Sequence, residues 1–241
     1  MFVRRKGKKG GFLLKNLLIF CFALPPGPER VTIQKSKGGV SMETEIKLGP
    51  LTREQQNRIF EDTVRLPALS PAETIRMETV YYDDPEGFFS ARRYTLRLRR
   101  ENGRCVAAFK SAPRGLSRLE LECEAPDMAA GAQKLAAMPG LPEDAREALA
   151  RRTLVPVCGA RFTRRCRLCR AEGAVLEVCA DLGVLYKGDI RQELCEIELE
   201  LKQGEPAALQ ALARTLKDAC GAEVCPRSKQ QRAMALGGER A

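Results

Sequence analysis

The sequence predicts an α+β domain in which about eight strands close into a barrel around a charged interior, with helices packed outside. Three observations lead there. Alternation of polar and apolar residues at strand period recurs from residue 43 onward. The charges carried by those strands are largely sorted by strand. Helical stretches fall between the strands, with no internal repeat or long linker to divide them into separate domains.

In chain order, Glu45-Ile46-Lys47-Leu48 alternates and gives the first strand, followed by a helical stretch over Thr52–Val64. Thr74–Asp83 is a less regular strand candidate. Tyr94–Arg99 alternates strictly and leads through Asn102-Gly103 into Arg104–Ser111; Asn-Gly between two strand runs is a hairpin turn, because both residues tolerate positive φ. Arg118–Glu124 alternates again. Met128–Met138 and Pro142–Arg152 read as helices, and Pro126-Asp127 and Pro142-Glu143 place proline and acid at their starts. Arg161–Cys169 and Ala174–Asp181 are strand candidates, Glu196–Lys202 is strongly alternating, and Pro206–Cys220 is helical.

Any one of these strands fits an ordinary half-buried strand whose charged face meets water. Together they are harder to place that way. Glu43 and Glu45, Arg97 and Arg99, Arg118 with Glu120 and Glu122, and Glu196, Glu198 and Glu200 each share a face. Consecutive like charges repel unless opposite charges or cations lie across from them. A closed sheet supplies that arrangement, since alternate residues all point inward. The faces of Ile46, Leu48, Leu96, Leu98, Leu119, Leu121, Ile197, Leu199 and Leu201 then pack under the helices. Acids inside suit Mg²⁺ or Mn²⁺, and bases suit phosphate oxygens.

Composition narrows the chemistry. The 241 residues carry a net charge of +10 and a 44% apolar share, ordinary for a folded protein. Residues 1–41 hold +8 of that charge and leave +2 for the rest, which is not the footprint of a general nucleic-acid binder. There is no histidine, so no imidazole base, Ser-His or Cys-His dyad or His-ligated zinc exists here. The ten cysteines are irregularly spaced and point to a reducing, cytoplasmic setting. Cys166-x-x-Cys169 is a lone pair in a strand and reads as ordinary thiols.

The first segment has a basic start and an apolar run, Phe12 to Leu24, interrupted by Lys15 and lacking an A-x-A cleavage site. It is too short for a good membrane span. Lys37-Gly38-Gly39-Val40-Ser41 before Met42 also fits a translated ribosome-binding sequence. Residues 1–41 are therefore expected to be a non-structural extension, either a mis-assigned start or a leader, and residues 42–241 the domain.

These motifs, in this order, resemble the CYTH superfamily of triphosphate tunnel metalloenzymes. Glu43-Thr44-Glu45-Ile46-Lys47 matches its ExExK signature, Tyr81-Tyr82-Asp83-Asp84-Pro85 its YYDTP segment, and Leu96-Arg97-Leu98-Arg99 its LRxR strand. Phe109-Lys110 resembles its TLK-like strand, Arg118 to Glu122 its RxExE, and Glu177 to Gly183 its ExxxDxG hairpin. Glu196 to Gly204 is similar to the ElELELKxG strand of the bacterial inorganic triphosphatase branch, and Ser228 to Arg232 to the closing SKxxRG motif. Asp84, Ala107-Ala108 and Ala233 depart from the family pattern without removing a ligand.

The resemblance implies an eight-stranded antiparallel tunnel that takes a triphosphate lengthwise. Lys47, Arg97, Arg99, Lys110, Arg118 and Lys229 would clamp the phosphates, joined by an arginine from Arg164–Arg167. Arg165 and Arg167 share a face and are chosen, Arg164 being the other reading. Glu43, Glu45, Glu120, Glu122, Asp181, Glu196 and Glu198 would surround Mg²⁺ or Mn²⁺. Glu43, Glu45, Lys47, Glu196 and Glu198 are the catalytic candidates. Glu177 shares the face of Asp181, and Glu200 has the right parity but is expected to lie beyond the site. The expected reaction is hydrolysis of inorganic triphosphate to diphosphate and phosphate. A class IV-type adenylate cyclase, a thiamine triphosphatase and a non-catalytic polyphosphate- or nucleotide-binding module are the alternatives. The expected partner is a small-molecule triphosphate, with no nucleic acid or membrane; a homodimer is compatible with the sequence. Nine residues follow the last motif, so no helical CHAD domain is expected after it.

Overall fold

The computed structural model describes residues 39–238. Most of the extension 1–41 lies outside the described residues. Gly39, Val40 and Ser41 do not: they open β1 (Gly39–Leu48) and pair with Glu122, Leu121 and Glu120. The sheet thus begins three residues before Met42.

The remaining strands are β2 (Glu73–Asp83), β3 (Thr95–Glu101), β4 (Arg104–Lys110), β5 (Ser117–Glu124), β6 (Val155–Ala171), β7 (Ala174–Lys187) and β8 (Ile190–Gln203). All pairings are antiparallel and the sheet closes in the order β1-β5-β4-β3-β2-β6-β7-β8. The β3–β4 turn is Asn102-Gly103 with φ of 48° and 95°, the two positive angles that the tight hairpin requires. The segment Glu177–Gly183 runs straight along β7 instead of forming a hairpin. Gly183 is needed there because a Cβ would stand 2.1 Å from the Arg161 carbonyl oxygen.

Helices α1 (Arg53–Phe60), α2 (Phe88–Ala91), α3 (Met128–Ala136), α4 (Glu143–Arg151), α5 (Pro206–Cys220) and α6 (Lys229–Met234) complete the fold. The apolar strand faces point outward, as the alternation requires, and form two cores. In one, Ile46, Leu48, Leu176, Val178, Ile197 and Leu199 pack under Ile59 and Phe60 of α1 and Leu209, Leu212 and Leu216 of α5. In the other, Leu96, Phe109 and Leu121 pack under Met128, Ala132 and Leu135 of α3 and Ala145 and Leu149 of α4. The helix α5 forms on this spacing, starts at Pro206 and stops at Gly221, whose φ is +66°. Each of its three buried leucines contributes about 1.5–3 kcal/mol.

A third apolar cluster lies on the inward faces. Tyr81, Cys158, Phe162, Leu185 and Leu194 surround Ala233 of α6. In this part of the barrel the sorting is reversed on β2, β6 and β8, whose apolar residues point inward while Arg76, Arg161, Thr163, Arg191 and Glu193 are exposed outside. The strands β6, β7 and β8 all extend past the stretches read from the sequence. No helix among the described residues is long and apolar enough to cross a membrane.

Candidate active site

Register puts the charged residues where the sign-sorting argument needs them. In β1 Glu43, Glu45 and Lys47 face inward. They meet Arg118, Glu120 and Glu122 of β5, Arg97 and Arg99 of β3 and Lys110 of β4. The Lys110 ammonium lies 2.5 Å from Glu43 and 3.1 Å from Glu120. Arg118 spans Glu43 at 3.0 Å and Glu45 at 2.6 Å, and Lys47 also pairs with Glu45. Arg97 reaches Glu120 at 3.0 Å and Glu122 at 3.5 Å; Arg99 reaches Glu122 at 3.2 Å. Burial alone would raise the Glu43 carboxyl, but Lys110 and Arg118 outweigh it and hold it far below the usual carboxylate range.

The second group is built by β6, β7, β8 and α6. Asp181 and Glu196 face each other across β7 and β8, and Glu198 follows on the same face. One oxygen from each of these three buried carboxylates lies within 4.8 Å of the others. Arg164 grips Asp181 through two hydrogen bonds of 2.7 Å and also pairs with Glu198. Lys229 stands among all three, 2.7 Å from Asp181, 2.8 Å from Glu198 and in contact with Glu196. Burial would favour the neutral amine, but these three carboxylates, Asp181 foremost, hold it charged. Burial would likewise raise Glu198; Lys229 and Arg164 outweigh it and hold it low.

The choice of Arg165 and Arg167 is corrected by strand parity. Both lie on the outer face of β6. Arg165 pairs with Glu61 and stacks on the Phe60 ring, while Arg167 donates to the Phe60 carbonyl oxygen. Arg164 is the inward residue. Parity also separates Cys166, which faces Cys179 across β6 and β7, from Cys169, which is buried in the outer core; the CxxC pair is split between two faces. The nine described cysteines form no disulfide.

The sequence reading did not single out Arg232, which sits one turn after Lys229 on α6 and pairs with Glu196. Its i+3 spacing from Lys229 was the available signal. It also left out Lys202, which holds Glu200 at 2.6 Å and Glu177 at 3.2 Å. Burial pushes the Glu200 carboxyl up to about 7, with Lys202 opposing. Thr95 donates to the Gln230 side chain at 2.6 Å and ties β3 to α6.

The acids that are brought together are hard oxygen donors, the set that suits Mg²⁺ or Mn²⁺ and not a soft metal. Glu196 Oε1 meets only the Lys229 ammonium, as an ion pair without a directed hydrogen bond. Conversely, whereas Arg99 Nε lies 2.5 Å from the Glu101 carboxylate, Arg97 Nε and Arg232 Nε are buried N–H donors with no protein acceptor. A buried donor left unpaired costs about 1–3 kcal/mol, so these groups are set to receive anionic oxygens.

The model of the CYTH domain matches residues 41–234. An inorganic triphosphatase of Haemophilus influenzae is 27% identical over 168 residues, a match that spans 65% of this chain and 45% of that protein, about half its length. Among solved structures, a putative adenylyl cyclase from Hippeastrum, described as having a dominant triphosphatase activity, superposes with a TM-score of 0.56 at 21% identity, over 81% of this chain and 96% of that one. A putative adenylate cyclase from Bacillus halodurans gives 0.54 at 16% identity, over 80% and 98%. At these identities the two structures establish the shared barrel fold.

Proposed function

The chain belongs to the CYTH family, and from that premise we propose that it is a metal-dependent triphosphatase that cleaves inorganic triphosphate to diphosphate and phosphate. The observation that carries the reading is the pairing of two unusual groups in one barrel. Buried guanidinium N–H donors lack acceptors, and three buried carboxylates converge beside them. A long polyanion answers both needs, provided a cation neutralises the acids.

Asp181, Glu196 and Glu198 would hold a divalent ion, Mg²⁺ or Mn²⁺, with Glu43, Glu45, Glu120 and Glu122 as the further acidic set. When bound, the ion supplies charge neutralisation and lowers the pKa of a water. Arg97 binds phosphate oxygens through its unpaired N–H group, and Arg99 does so by exchanging Glu101 and Glu122 for phosphate. Lys110 and Arg118 exchange carboxylate partners for phosphate ones, and Arg164, Lys229 and Arg232 do the same around the second group. These cations stabilise charge that grows on the transferred and leaving phosphates. A carboxylate takes the water proton, since the chain has no histidine. The triphosphatase relative from Haemophilus influenzae supports the substrate class.

The test is phosphate release by the purified protein from inorganic triphosphate, ATP and thiamine triphosphate, with and without Mg²⁺ or Mn²⁺. Metal-dependent turnover greatest on inorganic triphosphate is expected. Cyclic AMP and diphosphate from ATP would replace the hydrolase with a cyclase. Tight triphosphate binding without turnover would make the protein a binding module.

A further inference from the structure

Behind the proposed metal centre stands a residue that never enters the barrel. Gln56 lies on α1, outside the sheet, yet it is 5% exposed. Its Nε2 donates one hydrogen to the Asp181 carbonyl oxygen and the other to the Glu196 carbonyl oxygen, both at 2.8 Å. A side-chain amide nitrogen has two hydrogens, and both are used here. The two acceptors belong to facing residues on β7 and β8, the same two residues whose carboxylates converge inside.

The helix that delivers this amide is anchored on every side. Thr52 and Gln55 form a capping box at its start, and Leu51 donates its N–H to the Cys195 carbonyl oxygen at 2.9 Å. The Gln55 side chain donates to the Cys220 carbonyl oxygen, and Ile59 and Phe60 are buried in the outer core. Gly49, just before α1, allows the chain to pass close to Glu196, where a Cβ would lie 3.1 Å from the Glu196 Cβ. An ordinary glutamine on a helix face would be exposed; burying this one requires that both hydrogens find acceptors.

We infer that Gln56 is a positioning residue. By holding the backbone carbonyls of Asp181 and Glu196 from outside the barrel, it fixes the spacing of their carboxylates inside and thereby the affinity for the divalent cation. The inference rests on the metal reading above. It places Gln56 in the layer of groups that orient ligands, whose loss typically weakens metal affinity 10–100-fold.

The test compares the full-length protein with Gln56→Met, which keeps length and volume but donates nothing. Gln56→Glu, whose protonated carboxyl still donates one hydrogen, provides the comparison if the methionine variant does not fold. Leu209→Ala, in the same outer core but touching neither carbonyl, controls for destabilisation. Mn²⁺ is titrated into each protein without substrate, and turnover is then measured against Mn²⁺ concentration. Gln56→Met is expected to bind Mn²⁺ 10–100-fold more weakly and to recover most of its kcat when Mn²⁺ is saturating. Gln56→Glu should lie between it and the parent, and Leu209→Ala should keep parental affinity. Parental Mn²⁺ affinity in Gln56→Met, or an equal loss in Leu209→Ala, overturns the inference and leaves the metal reading standing. A parent protein that binds no Mn²⁺ overturns the metal reading, and this inference with it.

Discussion

At the scale of single residues, Lys229 presents the sharpest test. Its ammonium stands among Asp181, Glu196 and Glu198, so a divalent ion entering that group competes with it. Lys229→Met is expected to bind Mn²⁺ more tightly, by about tenfold, which corresponds to roughly 1.4 kcal/mol. The same variant should lose turnover by a hundredfold or more, because a cation proposed to bind phosphate is gone; direct Mn²⁺ titration and phosphate release measure the two effects separately. Glu200 offers a pH test on the metal-free protein. With its folded pKa near 7 and an unfolded value near 4.5, the folded state keeps a proton that the unfolded state releases between those values. Stability should therefore fall as pH rises from 4.5 to 7, by at most about 3 kcal/mol, and level off above. Urea unfolding across that range should show the decline in the parent and not in Glu200→Gln. Residue identity was readable where alternation is strict: Glu43, Arg97, Glu120 and Glu196 could face only one way once their apolar neighbours faced the helices. Arg164, Arg165 and Arg167 could not be ordered from sequence, because β6 turns Phe162 and Cys166 inward beside Arg164 and puts its charge-rich face outside, and a one-residue change of parity exchanges inside for outside.

At the scale of elements, α5 matches its predicted span because three features agree: proline at its start, glycine at its end and leucines at helical spacing. Leu212→Ala removes a fully buried side chain from under it and should destabilise the protein by about 2–5 kcal/mol in equilibrium unfolding. Little change would mean that the helix is not packed on β1 and β8 as described. The short helices carried no such signal. Four residues in α2 and six in α6 are too few for periodicity to register. The capping box of Ser228 and Gln231 was the only local mark of α6, yet that helix delivers Lys229 and Arg232. The burial of Gln56 was equally invisible, since its acceptors are carbonyls more than a hundred residues away.

At the scale of the whole molecule, the first strand is bound on both edges by later ones, β5 along Gly39–Thr44 and β8 along Glu45–Leu48. A chain that starts at Met42 forfeits the pairs made by Gly39, Val40 and Ser41 and should melt a few degrees lower than one starting at Gly39, as thermal unfolding of the two would reveal. The fold class was legible because charge sorting and closure imply one another; the start of the first strand was not, because three pairing residues look no different from the basic segment before them. The seam between first and last strands also governs how the protein is made. Ribosomal synthesis releases β1 first, but its partner β8 only after some hundred and fifty further residues, and α6 later still. Until α6 emerges, Asp181, Glu196 and Glu198 have Arg164 but neither Lys229 nor Arg232 to offset their repulsion. Closing the barrel thus waits on the most distant pairing in the sheet, β1 with β8, a topology that makes folding slow compared with one built from neighbouring strands.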